Sequence, residues 1–350
     1  MLNHLLFLSP GFPADEADTP CLPTVQALVK ETARVFPETF VSVVSTQYPF
    51  TAGEYRWKGH TIYSAGGKNR RFPLRLKTWY DARNYILALH RRRPVSLIHS
   101  FWLSECALIG HFTAQKLRIP HLTTVMGQDA RKGNPYLRIL PLEKMNLVGL
   151  SEFHVAQFYE TTGINLSNVV PWGIETQDFP PFNAGERPID LLGVGSLIPL
   201  KNYGVMIETA ARLREKFPRL RCELVGDGVE REMLEKKAEA RGLKEHFRFC
   251  GQLPREQVLE KMRRSRVLFH PSGYESFGYV FSEALYSGMK VCSRKTGIAG
   301  AHGETADTDE EMLKLAESLL SQPYNPLREK VPTIYESVQT YRELYRSWGR

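Results

Sequence analysis

The sequence predicts an α/β protein built from two doubly wound parallel sheets, and three observations support this fold class. Short apolar segments alternate with amphipathic helical stretches along the chain, which is typical of parallel sheets covered by helices. The 350 residues suffice for two domains of ordinary size. Residues 178–188 are rich in proline and poor in periodicity, and they divide the alternating pattern into two halves.

The first half, residues 1–177, is predicted to be an N-terminal Rossmann-like domain. Its apolar segments predict strands at residues 4–8, 40–45, 95–99, 121–125 and 146–150. Helical periodicity predicts helices that include residues 22–35 and 104–117. We interpret residues 178–188 as an interdomain linker.

The second half, residues 189–331, is predicted to be a second Rossmann-like domain. Strands are predicted at residues 189–195, 221–225, 246–250, 267–269 and 290–292. Helices are predicted at residues 203–216, 229–241 and 255–264. Residues 332–350 have large apolar side chains at a helical period, so we expect a C-terminal helix that packs back on the N-terminal domain.

Composition narrows the class of protein. Apolar content of 42% and charged content of 24% are those of a soluble globular protein, and no run approaches the ~20 apolar residues that cross a bilayer. The five cysteines are scattered without a Cys-x-x-Cys pair, which favours free thiols in a reducing compartment. The N-terminus reads as a first strand rather than a signal peptide. We therefore expect a cytoplasmic protein.

The net charge of +8 is concentrated in residues 68–93, which hold nine Lys or Arg residues against one acid, Asp81. Leucine and aromatic residues are interleaved with these cations, a composition that suits an anionic membrane surface or an anionic acceptor. A solvated helix face with its tyrosines turned inward is an equally good interpretation. Nucleic acid is not expected as a partner, because no recognised binding motif accompanies the charge.

Two glutamates, Glu275 and Glu283, follow the predicted strand at residues 267–269. A helix is predicted to begin near residues 277–279 and to end at Gly288, so Glu275 lies on the preceding loop and Glu283 lies one to two turns inside. Free N–H groups at a helix N-terminus suit a diphosphate, and flanking carboxylates can accept hydrogen bonds from hydroxyl groups. The pattern favours a nucleotide sugar as ligand, although two glutamates at one spacing also occur by chance.

Other residues at predicted strand ends are weaker candidates. Lys201 precedes a predicted helix, where it could reach a diphosphate or simply be solvated. Gly226-Asp-Gly is typical of a tight turn between a strand and a helix. His270 follows a strand, and its side chain either lines the site or makes its hydrogen bonds near the core.

Taken in order, several segments resemble the GT-B glycosyltransferases, specifically the retaining group 1 family (glycosyltransferase family 4). The matching phrases are Gly127-Gln-Asp129, Ser151-Glu-Phe, Val170-Pro-Trp-Gly-Ile-Glu, Gly195-Ser-Leu-Ile-Pro-Leu-Lys201, Val225-Gly-Asp-Gly and Pro271-Ser-Gly-Tyr-Glu275 with Glu283-Ala. The resemblance covers about residues 95 to 295. Each phrase alone is ordinary, and it is their number, order and spacing that are specific.

The resemblance implies a GT-B architecture, in which two Rossmann-like domains face a central cleft. The N-terminal domain would bind the acceptor, and the C-terminal domain a UDP-sugar or GDP-sugar. The family transfers its sugar with retention and needs neither a metal nor another cofactor. Lipid-linked or polysaccharide acceptors, including lipopolysaccharide, and a peripheral position on the inner face of the cell membrane are the expectations that follow.

The resemblance also assigns roles to individual residues. The expected catalytic residues are Glu275, Lys201 and Asp129. The expected nucleotide-sugar contacts are Gly195, Ser196, Lys201, Glu275, Ser276, Phe277, Gly278 and Glu283. Within this set, Lys201 would bind the diphosphate, Glu283 the ribose hydroxyls, and Glu275 the transferred sugar.

Three departures from the family pattern stand out. Ser196 occupies the place of a usual arginine, and Met126 that of a frequent histidine. The loop at residues 10–20 lacks the usual Gly-Gly pair. Two other functions therefore stay open: a GT-B sugar-nucleotide epimerase or hydrolase, and a non-catalytic GT-B binding protein.

Overall fold

The computed structural model describes residues 2–182 and 184–348, with the side chain of Trp348 outside the described part. The chain divides into two compact units. The first unit contains residues up to Trp172 together with the chain from Thr333 onward, and the second unit is Gly173–Pro332. Every helix in the described residues is too short or too polar to span a bilayer.

The first unit is built on a sheet for which eight strands are described. The strands are β1 (His4–Gly11), β2 (Phe40–Tyr48), β3 (Gly53–Trp57), β4 (His60–Ser64), β5 (Leu97–Phe101), β6 (His121–Thr124), β7 (Asn146–Gly149) and β8 (Asn168–Val169). Their order in the sheet is β3-β4-β2-β1-β5-β6-β7-β8. The pairs are parallel except that of β3 with β4. Buried leucine, isoleucine and phenylalanine side chains occupy much of β1 and β5, as expected for strands covered on both faces.

Helices cover this sheet. They are α1 (Pro23–Val35), α2 (Leu74–Arg92), α3 (Glu105–Leu117), α4 (Tyr136–Ile139), α5 (Glu152–Thr162) and, from the end of the chain, α12 (Ile334–Trp348). The last helix packs on α1 and buries Ile334, Val338, Tyr341 and Tyr345. It thus belongs to the first unit, although the chain reaches it only after the second unit is complete.

The second unit is built on a parallel sheet for which six strands are described. They are β9 (Ile189–Val194), β10 (Cys222–Val225), β11 (Phe247–Gly251), β12 (Ser265–His270), β13 (Lys290–Ser293) and β14 (Glu304–Thr305). The helices are α6 (Gly204–Lys216), α7 (Arg231–Ala240), α8 (Arg255–Arg263), α9 (Tyr279–Tyr286), α10 (Ala299–His302) and α11 (Asp309–Ser321). The sheet order β11-β10-β9-β12-β13-β14 is that of a dinucleotide-binding fold.

Sequence reasoning missed the hairpin formed by β3 and β4. The strand β3 is an edge strand with mostly exposed side chains, so it lacks the apolar run by which the other strands were recognised. The turn between β3 and β4 is the feature by which the hairpin could have been recognised. Lys58 and Gly59 both have positive φ, of 46° and 81°, as a two-residue hairpin turn requires.

The structure differs from the predicted linker at residues 178–188, because this segment lies within the second unit. The Arg187 side chain is buried and explains the difference. Its guanidinium donates hydrogen bonds to the carbonyl oxygens of Ser265 at 2.9 Å and Ser287 at 2.7 Å. These bonds fasten the segment to β12 and to the end of α9. Asn183 lies outside the described residues.

A buried polar network joins α12 to the first sheet. The Tyr345 hydroxyl lies 2.7 Å from His99 Nδ1, and the Thr124 hydroxyl lies 2.8 Å from His99 Nε2. The Tyr341 hydroxyl lies 2.8 Å from the same Thr124 oxygen. Burial lowers the pKa of His99 well below its ordinary value, so the ring is neutral and both nitrogens are satisfied. The network fixes the register of α12 on β5 and β6.

Tyr345→Phe should destabilise the first unit by about 1 to 3 kcal/mol, because His99 Nδ1 would be buried without a partner. Urea denaturation followed by circular dichroism measures this free energy of unfolding. Tyr335→Phe is the matched control: it makes the same change on the same helix, where the ring is 48% exposed. Equal effects of the two substitutions would contradict the role of the network.

Candidate active site

The candidate site lies at the topological switch point of the second sheet, between β9 and β12. Counted from β9, the strands of this sheet lie in the order 3-2-1-4-5-6, so β9 is the first strand and β12 is the fourth. In such a sheet the loops after the first and fourth strands leave in opposite directions and open a crevice at the carboxyl edge. The loop after β9 carries Gly195, Ser196 and Lys201, and the loop after β12 carries Glu275.

Close backbone packing shapes the floor of this crevice. A Cβ atom on Gly226 would lie 1.8 Å from the carbonyl oxygen of Gly195, so only glycine fits there. A Cβ atom on Gly195 would lie 2.9 Å from the Tyr203 hydroxyl. Ser196 is exposed next to this contact. The backbone at Gly195 therefore packs tightly against Gly226 and Tyr203, and Ser196 is left exposed beside it.

Lys201 and Glu275 meet across the crevice. The Lys201 ammonium donates a hydrogen bond to Glu275 Oε1. His270 Nε2 lies 2.7 Å from the same oxygen, and the His270 ring is fully buried. The strand-end histidine therefore contacts the candidate glutamate and is also part of the core, where it packs edge-on against Phe281.

The charge state of Glu275 follows from these contacts. Burial alone would raise the pKa of the Glu275 carboxyl, but the hydrogen bonds from His270 and Lys201 and the charge of Lys201 outweigh burial and lower it to about 2. Burial lowers the pKa of His270, so the ring is neutral and donates its single N–H from Nε2. Among the described residues, Glu275 Oε2 has no hydrogen-bond partner.

The loop after Glu275 leads into α9. Gly278 is the N-terminal cap and has the left-handed φ of 77°, and α9 begins at Tyr279, as the sequence predicts. Phe277 is buried, and its carbonyl accepts a hydrogen bond from Ile298 N at 2.9 Å. The backbone N–H of Glu275 donates to the Thr296 hydroxyl at 2.5 Å. Residues that follow β13 thus fix the position of the loop at residues 275–278 through these hydrogen bonds.

Glu283 lies inside α9 and is almost completely buried. Its Oε1 accepts a hydrogen bond from Arg255 at the start of α8, and Arg255 also reaches Asp178 at 3.4 Å. Burial raises the pKa of the Glu283 carboxyl, while the charge of Arg255 opposes that shift. Sequence reasoning did not identify Arg255, because nothing in its own segment distinguishes it from the other basic residues of α8.

Asp129 lies in the first unit, on a short 3-10 turn after β6. Its Oδ2 accepts hydrogen bonds from the backbone N–H groups of Leu103 at 2.5 Å and Met126 at 3.0 Å. Burial raises the pKa of this carboxyl to about 7, although the two N–H groups act in the opposite direction. The structure therefore shows Asp129 holding the loops after β5 and β6 together.

The structure thus brings Gly195, Lys201 and Glu275 together and adds His270 to them. Glu283 lies on the helix that follows, in a separate buried pair. No cluster of three or more metal-binding side chains occurs among residues 2–182 and 184–348. Among the described residues, Lys201 pairs with Glu275 and Arg255 pairs with Glu283.

Comparison with known proteins identifies related chains. The family model of glycosyl transferases group 1 matches residues 175–308. An uncharacterized glycosyltransferase of Methanocaldococcus jannaschii is 25% identical over 261 residues, which cover 71% of this chain and 68% of that protein. A D-inositol 3-phosphate glycosyltransferase of Streptomyces bingchenggensis is 26% identical over 245 residues, which cover 59% of this chain and 53% of that protein.

Solved structures match over nearly the whole chain. Sucrose-phosphate synthase from Thermosynechococcus elongatus has a TM-score of 0.75 at 17% identity, covering 99% of this chain and 95% of that one. Anabaena HepE, solved with UDP and glucose, has a TM-score of 0.69 at 16% identity, with coverages of 99% and 95%. WaaG, a glycosyltransferase involved in lipopolysaccharide biosynthesis, has a TM-score of 0.65 at 17% identity, with coverages of 98% and 95%. These likenesses confirm the predicted fold class.

Arg255→Ala should destabilise the second unit by about 3 kcal/mol, because it leaves the Glu283 carboxylate buried without its partner. The deficit should be larger at pH 8 than at pH 5. A carboxyl whose pKa is raised in the folded state loses stability as the pH rises above its unfolded pKa of about 4.5, and removing Arg255 raises that pKa further. Chemical denaturation at the two pH values measures the difference.

Arg263→Ala is the control for this substitution. Arg263 lies on the same helix and pairs with Glu260 at 2.6 Å on the surface, where such a pair contributes less than about 1 kcal/mol. A deficit for Arg255→Ala that is no larger than the control's, or that does not change with pH, would show that Glu283 does not depend on Arg255.

Proposed function

We propose that this chain, a group 1 glycosyltransferase of the GT-B fold, transfers a sugar from UDP-sugar or GDP-sugar to a lipid-linked or polysaccharide acceptor. Transfer occurs with retention at the anomeric carbon, as in its family. The observation that carries the proposal is the Lys201–Glu275 pair at the switch point of the second sheet. The pair places a cation that can bind a diphosphate beside an ionised carboxylate that can accept hydrogen bonds from hydroxyl groups.

The diphosphate of the sugar donor is bound by Lys201 and by the N-terminal end of the α9 segment. An ammonium has three N–H groups, so Lys201 can keep its hydrogen bond to Glu275 and still donate to phosphate oxygens. The backbone amides of Ser276, Phe277 and Gly278 and the dipole of α9 add to this positive environment. Because these groups neutralise the departing diphosphate, the transfer needs no metal.

Glu275 binds the hydroxyl groups of the transferred sugar. Its partners Lys201 and His270 both contact Oε1, and Oε2 can accept hydrogen bonds from the sugar. With a pKa of about 2, the carboxylate is ionised throughout the physiological range and acts only as an acceptor. Gly195 and the exposed Ser196 would contact the nucleotide at the floor of the same crevice.

Glu283 binds the ribose hydroxyl groups through its second oxygen. Arg255 occupies Oε1, and among the described residues Oε2 has no hydrogen-bond partner. Arg255 therefore favours the ionised form of this buried carboxylate and orients it. Two carboxylates on either side of the α9 N-terminus thus bind the alcohols on either side of the diphosphate.

In the chemical step, the leaving phosphate deprotonates the acceptor hydroxyl on the same face of the sugar. No separate carboxylate nucleophile is then required, and none is assigned. Asp129 contributes by shaping the loop after β6. In the family, the corresponding loop approaches the reacting sugar. Support for a UDP-sugar comes from HepE, which was solved with UDP and glucose.

The acceptor is a lipid-linked or polysaccharide glycan, as in lipopolysaccharide assembly, and the protein works as a cytoplasmic enzyme on the inner face of the cell membrane. WaaG, named for lipopolysaccharide biosynthesis, supports the acceptor class. The basic segment at residues 68–93 would hold the first unit at an anionic membrane. The relative that acts on D-inositol 3-phosphate supports an acceptor that bears a phosphate group.

Glu275→Ala should reduce the rate of transfer by about a hundredfold or more while leaving the fold intact, because the sugar loses its charged hydrogen-bond acceptor. Release of UDP from UDP-glucose in the presence of a bacterial lipid extract measures the rate, and circular dichroism checks the fold. Glu260→Ala removes a surface carboxylate of the same unit and should leave the rate unchanged. Near-normal turnover of Glu275→Ala would exclude Glu275 from the site.

Lys201→Ala should weaken the binding of UDP or GDP by about tenfold to a hundredfold, the range expected for losing a hydrogen bond from a charged group. Isothermal titration calorimetry with UDP and with GDP measures the affinity and identifies the preferred base. Lys216→Ala, which removes a surface lysine paired with Glu317 at 2.6 Å, is the control. Unchanged affinity of the Lys201 variant would rule out contact with the diphosphate.

A further inference from the structure

Trp102 follows β5 directly, at the carboxyl edge of the first sheet, where ligands of doubly wound sheets bind. Its backbone φ is 67°, in the left-handed region that a bulky residue rarely adopts. Among the described residues it is the only aromatic residue with a positive φ. Backbone strain of this kind at the ligand-binding edge of a sheet indicates that the side chain has a function there.

Hydrogen bonds hold the backbone at Trp102 in this conformation. Trp102 N donates to the Thr124 carbonyl oxygen at 3.0 Å, and Leu103 N donates to Asp129 Oδ2 at 2.5 Å. The Leu103 carbonyl oxygen accepts a hydrogen bond from Asn134 Nδ2 at 2.9 Å. The two residues are thus tied to the end of β6 and to the loop that follows it, so the backbone that presents the indole is fixed before a ligand binds.

The indole packs against the backbone of Gly127, which opens the 3-10 turn that carries Asp129. A Cβ atom on Gly127 would lie 3.4 Å from Trp102 Nε1. The Trp102 side chain is nevertheless partly exposed. Its indole makes no hydrogen bond and pairs with no aromatic ring among the described residues. The ring is therefore positioned at one edge and remains available for a ligand.

Two other tryptophans of the first unit serve its core. Trp57 is buried and packs edge-on against Phe12, with the ring centroids 4.9 Å apart. Trp172 is buried and packs edge-on against Phe101 at 5.9 Å. Such aromatic pairs are the usual way in which a tryptophan stabilises a core. Trp102 has no such pair among the described residues, so packing of the core does not explain it.

A planar polar side chain comes next to this surface in the chain. Gln128 follows Gly127 and is exposed, and its Oε1 accepts a hydrogen bond from Arg131 at 3.1 Å. Among the described residues, the amide nitrogen of Gln128 has no partner, so both of its N–H groups can bind a ligand. An aromatic face with an amide donor nearby suits a sugar ring, because one face of a pyranose presents C–H groups and its rim presents hydroxyl groups.

We infer that the acceptor's pyranose ring stacks on the indole of Trp102 and that Gln128 donates hydrogen bonds to its hydroxyl groups. The inference rests on the proposed glycosyl transfer and names the chemical group by which the first unit recognises the acceptor. Recognition at this position depends on the apolar face of a sugar. Trp102 is thus a specificity-determining residue for the acceptor, in a different unit from Lys201 and Glu275.

Saturation-transfer difference NMR on the full chain with excess UDP tests the inference. The probes are methyl α-D-glucopyranoside, methyl α-D-mannopyranoside and methyl β-D-galactopyranoside, with glycerol as a polyol that has no ring. For at least one glycoside, the native protein should saturate the protons of one ring face more than those of the other, and glycerol should respond weakly. A native protein that saturates none of the glycosides, or both faces equally, overturns the inference.

Trp102→Asn removes the indole and introduces a residue that tolerates the left-handed backbone. Its dissociation constant for the responsive glycoside should rise about tenfold, as expected for losing an aromatic contact. Arg118→Asn is the matched control: Arg118 also has a positive φ, of 56°, but it is exposed at the end of α3, before β6 begins. The control should change the constant by less than about twofold. Equal effects of the two substitutions would contradict the role of the indole.

A second pair of variants separates stacking from the volume of the side chain. Trp102→Phe keeps an aromatic face and should bind the glycoside within about threefold of the native protein, whereas Trp102→Leu should bind about tenfold more weakly. Equal affinities of these two variants would overturn stacking, even if Trp102→Asn does not fold.

Isothermal titration calorimetry with UDP distinguishes this inference from the proposed function. The affinity for UDP should be the same in the native protein and in the Trp102 variants, because Lys201 and Glu275 lie in the second unit. A native protein that binds UDP but none of the glycosides would overturn the stacking role alone. A native protein that binds a glycoside through Trp102 but no UDP would contradict the proposed function and leave the stacking role in place.

Discussion

The ion pair of Lys201 with Glu275 is the interaction on which the candidate site depends. It joins the loop after β9 to the loop after β12, the two loops that diverge at the switch point of the second sheet. Neither side chain could be placed there alone without a large desolvation cost, because both are less than one-fifth exposed. The pair therefore fixes a cation and an anion side by side, which is the arrangement that the proposed binding of a phosphorylated sugar needs.

A second buried ion pair lies on the helix that follows this loop. Glu283 is buried in α9, and Arg255 supplies the compensating charge from α8. In both pairs the cation binds one carboxylate oxygen, and the other oxygen faces no partner among the described residues. Each cation favours the ionised form of its buried carboxylate and orients it, so under the proposed function a ligand hydroxyl group would meet an acceptor that is already in place.

Much of the fold could be predicted from the sequence, because parallel strands covered on both faces leave continuous apolar runs. The predicted strands at residues 40–45 and 267–269 lie within β2 and β12 for this reason. The edge strand β3 has no such run, and its polar side chains concealed it. The segment at residues 178–188 has the composition of a linker, but the long-range contacts of Arg187 decide its position.

The candidate site was predictable in part. Lys201 and Glu275 could be identified because each follows a strand and belongs to a specific sequence phrase. Their direct contact, across 74 positions, could not be identified without the fold. The same is true of Arg255, which has no local signal, and of His270, whose two possible roles the structure shows to be compatible.

A crystal structure of the chain with UDP is the most direct test of this account. It should place the diphosphate within hydrogen-bond distance of Lys201 Nζ and of the backbone amides that open α9, with the ribose against Glu283. A nucleotide bound away from the switch point of the second sheet, or one whose diphosphate makes no contact with Lys201, would contradict the account.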